Sequence, residues 1–160
     1  MDWMALKSGS DVRGTAIGDG TVLTKEVAVA LGMAFAREMA RKKGKEPEKI
    51  TIALGRDSRV TGPELLEATA EGVRRAGSSV MDFGMCTTPA MFMSIITPGF
   101  EPDGSIMITA SHHPWNKNGL KFFTAAGGID GNEVTALLRA AQTLQPEESS
   151  KIGRASCRER

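Results

Sequence analysis

The sequence predicts an α/β fold: a three-layer αβα domain with a mixed, mainly parallel sheet. Two observations lead there. Short apolar, β-branched runs alternate with longer runs of helical periodicity, the pattern of βαβ units. Polar, turn-rich clusters follow several of the apolar runs, as they do where strand ends open onto a ligand crevice.

The elements follow in order. Thr24 is placed to cap a helix running through Lys42, with Val27, Ala30, Leu31, Ala34 and Phe35 on one stripe. Arg41, Lys42 and Lys43 followed by Gly44 form its stop signal. Ile50 to Leu54 is a buried-strand run ending at Gly55. Pro63 opens a second helix that ends near Gly77, with Leu65, Leu66, Ala68 and Val73 apolar. Ser79 to Phe83 reads as a strand, and Pro89 starts a Met-rich helix to about Ile96. Ser105 to Ile108 and Leu120 to Phe123 are further strands, and Asn132 to Leu144 is a last helix. Met91 and Met93 read as core packing, and Cys86 as a small buried apolar residue rather than a reactive thiol.

At 160 residues and 41% hydrophobic, the chain can bury a real core. It has no Tyr, so that core is aliphatic and Met-rich. No apolar run approaches the roughly 20 residues that span a bilayer, so no membrane partner is expected. The N-terminus does not read as a signal peptide, and two cysteines without a pairing pattern point to a reducing compartment. The expectation is cytoplasmic.

Residues 151–160 read differently. Ile152 to Arg160 matches the translation of a common sequencing adapter, so residues 1–150 are taken as the domain and 151–160 as an adapter-derived tail. Without its four Lys/Arg and one Glu, the formal charge falls from +1 to −2. No basic excess then remains to suggest nucleic acid.

Thr109 to Gly119 carries the most chemistry: a serine, two imidazoles and two amides in one polar loop after a buried strand. Ser111 could be a nucleophile, a phosphate carrier or a turn-former. It lacks the Gly-x-Ser-x-Gly elbow of many hydrolases. A phosphoserine would bring about −1.5 to −2 charge and need cations, which Lys121 and Arg13 could supply. Asp57 and Arg59 could pair to close a βα turn or contact a substrate. His112 and His113, adjacent and without a third ligand nearby, do not suggest zinc. No role is assigned to His113.

Thr109-Ala110-Ser111-His112-x-Pro114 followed by Asn118-Gly119-x-Lys121 resembles the phosphoserine loop of the phosphohexomutase (phosphoglucomutase/phosphomannomutase) family. Three more stretches agree in order: Asp11-Val12-Arg13-Gly14, Gly55-Arg56-Asp57-Ser58-Arg59, and Thr87-Thr88-Pro89-Ala90. The resemblance implies an intramolecular phosphotransferase of the isomerase class. It would move phosphate between C1 and C6 of glucose or mannose phosphate through a bisphosphate.

It also implies roles. Ser111 would carry the phosphoryl group, Arg13 and Lys121 would bind substrate and stabilise the transferring group, and His112 would orient or handle a proton. Arg59 is a further substrate-binding candidate. Mg²⁺ would bind through an oxygen of the phosphate on Ser111 together with three aspartates of the next domain. A hexose 1,6-bisphosphate would be the phosphoryl donor, a hexose phosphate the substrate, and the family's C-terminal domains the missing partners. The fragment alone is expected to be inactive. The alternatives are a phosphoglucosamine mutase domain and a non-catalytic sugar-phosphate-binding relative.

Overall fold

A computed structural model describes residues 1–155, with side chains described through Leu144. The helix α1, Lys25–Lys43, forms as its end signals dictate. The Thr24 hydroxyl accepts the Val27 N–H at its start, and Gly44 closes it in a left-handed conformation. Thr51–Arg56 is then β3 and Gly62–Arg75 is α2. Ser79–Met85 is β4, Thr88–Ile96 is α3 and Gly104–Ile108 is β5. Lys117–Thr124 is β6, Gly127–Gly128 is β7 and Gly131–Ala155 is α4. Before them come β1, Lys7–Ser8, and β2, Asp11–Thr15. The expected tail, 151–160, lies beyond the described side chains, and 156–160 lies outside the described residues.

The strands form one seven-stranded mixed sheet in the order β1-β2-β6-β5-β3-β4, with β7 added to β6. Parallel pairing is confined to β3 with β4 and β3 with β5. The pairs β1–β2, β2–β6, β5–β6 and β6–β7 are antiparallel. The sheet is therefore less parallel than the sequence suggested. The loop 109–116 is too short for a crossover helix, so β6 must return antiparallel beside β5.

Chain direction explains the layers. From β3 the chain steps outward through α2 to β4, then back past β3 through α3 to β5. Two crossovers in opposite directions can share the favoured right hand only if their helices lie on opposite faces. So α1, α2 and α4 cover one face, over a core including Phe35, Ile52, Leu54, Ile106, Leu120 and Phe122. On the other face α3 packs Met91 and Ile95 against Ala53, Met107 and Phe123. Met93 is 48% exposed rather than core, because residues two apart on a helix do not share a face.

The strand β4 is bulged. Leu54 pairs with Asp82 but Arg56 pairs with Met85, leaving one extra residue at Phe83–Gly84. Gly84 takes φ +61 there, and its N–H donates to Asp82 Oδ1 at 2.7 Å. Among the described residues no helix is long and apolar enough to cross a membrane.

Candidate phosphate-handling site

Strand alternation builds the floor of the site. Val12 pairs with Leu120, and both sink into the larger core. Asp11, Arg13 and Lys121 therefore project from the opposite face of β2 and β6. Asp11 is buried and bridges the two cations: Arg13 Nη2 donates to Oδ2 at 2.8 Å and Lys121 Nζ to Oδ1 at 2.8 Å.

The serine loop enters from the carboxyl end of β5, beside the carboxyl end of β3. Ser111 is exposed and holds φ 54, a left-handed conformation that costs a non-glycine residue about 1–2 kcal/mol. Its Oγ lies 3.4 Å from Arg13 Nη2. Arg13 Nη1 is 2.9 Å from His113 Nε2. An arginine can only donate, so Nε2 accepts and the ring proton sits on Nδ1. The rings of His112 and His113 stack at 5.1 Å, with His112 exposed.

Arg59 is 12% exposed in its side chain and is committed to this loop. Nη1 donates to the Pro114 and Lys117 carbonyls at 2.7 and 3.0 Å. Nη2 donates to the Ser111 and His113 carbonyls, both at 2.8 Å. Nε lies 3.4 Å from Asp57 Oδ2, so the anticipated pair does close the βα turn. Asn118 and Gly119 end the loop. Asn118 is fully buried, donating to Thr61 Oγ1 and accepting the Gly119 N–H. A Cβ at Gly119 would strike the Val12 carbonyl and approach the Thr109 carbonyl at 2.8 Å, so the converging β2, β5 and β6 leave room only for glycine.

Ser111, Arg13 and, through Asp11, Lys121 are thus brought together. His112 stands at the rim, and Arg59 lies under the loop. The Thr87-Thr88-Pro89-Ala90 stretch starts α3 instead, where Thr87 caps the helix by accepting the Ala90 N–H. Asp11, His113 and Thr109 take roles that sequence reasoning left unassigned. The Arg13–His113 contact joins residues 100 apart in sequence, and no local pattern announces it.

Burial, then the nearby Arg13 cation, pushes the His113 pKa below its ordinary value. A depressed histidine pKa contributes stability that is full above the unfolded value. That contribution falls as pH drops from there through the folded value. NMR of the His113 ring nitrogens is expected to show neutral Nδ1–H imidazole near pH 7 and a titration below that of a free histidine. Titration at or above the ordinary value would mean the Arg13 contact is not formed.

Magnesium does not fit these residues alone. Among the described residues no three His, Cys, Asp or Glu are placed to hold a metal. Both oxygens of Asp11 are already taken by Arg13 and Lys121.

The domain is αβα and presents an exposed serine on a left-handed corner beside an arginine and a lysine paired to one aspartate, cations that could meet the charge of a phosphate. The sequence matches the family model for phosphoglucomutase/phosphomannomutase, alpha/beta/alpha domain I, over residues 5–148. The chain belongs to that family. It is 37% identical over 125 residues to a phosphoglucosamine mutase of Corynebacterium jeikeium, covering 78% of this chain and 28% of that protein. It is 37% identical over 129 residues to a phosphoglucomutase of Neisseria gonorrhoeae, covering 80% of this chain and 26% of that protein. A crystal structure of a phosphoglucomutase/phosphomannomutase family protein from Burkholderia thailandensis superposes with TM-score 0.77 at 30% identity, covering 91% of this chain and 31% of that one. The chain therefore spans less than a third of these relatives.

Proposed function

We propose that Ser111 is the phosphoryl carrier of a longer phosphohexomutase that moves phosphate between C1 and C6 of glucose or mannose phosphate. The observation that carries this reading is the Ser111 hydroxyl on its left-handed corner, 3.4 Å from an Arg13 held by Asp11 and His113. A sugar hydroxyl oxygen forms the new bond to phosphorus while the bond from phosphorus to Ser111 Oγ breaks. The hydroxyl proton passes to His112, which returns it to Ser111 Oγ. The bisphosphate then turns over, and the reverse step returns its other phosphate to Ser111.

Arg13 and Lys121 stabilise charge on the phosphoryl oxygens, the main work of catalysis in such transfers. Arg59 holds the loop that carries Ser111, because its terminal nitrogens are occupied by backbone carbonyls. A magnesium ion at the phosphorylated serine would take its carboxylates from the rest of the longer enzyme.

An amino-sugar phosphate is the second reading of the substrate. It is favoured by the relative from Corynebacterium jeikeium, which is named a phosphoglucosamine mutase.

The test uses the complete protein that carries these residues. Incubation with glucose 1,6-bisphosphate is expected to place phosphate on Ser111 by mass analysis, with complete loss in Ser111→Ala. Binding of hexose phosphate without phosphate on Ser111 would favour a non-catalytic sugar-phosphate-binding relative instead.

A further inference from the structure

We propose that Asp57 and Thr109 are positioning residues for Ser111, gripping its peptide group from beneath; the proposal rests on the carrier reading above. Ser111 and Glu101 are the non-glycine residues with positive φ among those described, and Ser111 is the one beside a cation cluster. Something must hold that conformation against its intrinsic cost. Its backbone N–H donates to Thr109 Oγ1 at 3.0 Å. The Thr109 hydroxyl donates in turn to Asp57 Oδ2 at 2.7 Å, which turns an oxygen lone pair toward Ser111. The other Asp57 oxygen accepts the Arg59 N–H at 3.1 Å, and the Arg59 guanidinium holds the Ser111 carbonyl at 2.8 Å.

Both ends of Ser111 therefore trace to one carboxylate on the β3–α2 turn. Neither Asp57 nor Thr109 needs to touch the transferred phosphate to act. Without the carboxylate, the Thr109 hydroxyl can rotate and donate elsewhere. The serine corner can then relax toward the right-handed region, carrying Oγ away from Arg13.

Three variants test this: Thr109→Val removes the oxygen at constant shape, Thr109→Ser keeps it, and Asp57→Asn keeps one acceptor. On the 160-residue chain, amide hydrogen exchange at Ser111 is expected to speed at least tenfold in Thr109→Val and several-fold in Asp57→Asn, and to stay near wild type in Thr109→Ser. In the complete protein, the rate constant for phosphate transfer from glucose 1,6-bisphosphate to Ser111 is expected to fall at least tenfold in Thr109→Val. The half-saturating concentration should stay unchanged, and Thr109→Ser should restore the rate. Unchanged exchange in both Thr109→Val and Asp57→Asn would overturn the proposal, as would equal impairment in Thr109→Ser and Thr109→Val. If Thr109→Val does not fold, Asp57→Asn and Thr109→Ser still decide it. If the wild-type protein carries no phosphate on Ser111, the carrier reading fails, and the exchange measurements still decide the positioning.

Discussion

Replacing Arg59 by alanine is expected to cost about 3 kcal/mol of stability and to release the serine loop. A hydrogen bond to a charged group contributes about 1.5–3 kcal/mol, and Arg59 donates to four backbone carbonyls from a side chain that is 12% exposed. The contributions are not additive, and water can reach part of the loop, so the total stays well under the sum. Arg59→Lys should recover little, because one ammonium cannot span carbonyls arranged for a planar fork. Urea unfolding with linear extrapolation measures the cost, and amide exchange over residues 110–116 measures the release. The competing role, direct contact with substrate, gives a different result. Both variants would then lose hexose-phosphate affinity while loop exchange and unfolding midpoint stay at wild-type values.

Gly72→Ala is expected to destabilise the protein even though alanine is the better helix former. Gly72 lies where α2 crosses α1, and a Cβ there would run into the Val29 carbonyl and come within 2.9 Å of the Met33 nitrogen. Gly32 sits in the reciprocal position, where a Cβ would meet the Thr69 carbonyl. Backbone on both sides cannot yield as a flexible side chain could. Overpacking of this kind costs about 1–3 kcal/mol or more, against about 1 kcal/mol recovered from helix propensity. A net loss near 2 kcal/mol corresponds to a fall in Tm on the order of 4–8 °C for a chain of this size. A neutral or raised Tm would mean that the two helices separate without penalty.

The parts of this fold that were legible in the sequence are those fixed by local chemistry. Thr24 and Gly44 bracket α1 because a cap and a left-handed stop are nearest-neighbour events. The Ile50 to Leu54 run announces β3 because a strand covered on both faces is continuously apolar. Strand β2 was visible only as a motif. Of Asp11–Thr15 only Val12 joins the apolar core, while Asp11 and Arg13 form an ion pair on the other face, so no apolar alternation survives to mark a strand.

The site divides in the same way. Ser111, Arg13 and Lys121 can be singled out as candidates from sequence because their residue types suit phosphate and their surroundings match a known pattern, and the structure places Arg13 beside Ser111 and, through Asp11, beside Lys121. Asp11 and His113 were not, because an ion bridge across 110 residues and a contact across 100 exist only once the sheet has formed. The excess of antiparallel pairing was missed for a related reason. An apolar run shows that a strand is buried, but the length of the connecting loop decides which way it runs.

The two ends of the sheet bear on how the protein keeps its own company. An open strand edge is a template on which another chain can add, and long, flat edges lead to aggregation. Here one end is β1, only two residues long. The other is β4, whose extra residue at Phe83–Gly84 twists the edge, while the Asp82 carboxylate occupies the Gly84 N–H. A stray strand finds only two residues to pair with at β1, and at β4 its register would be broken where the bulge begins after Asp82. The bulge that ends the regular part of β4 thus also limits how far that edge can be extended.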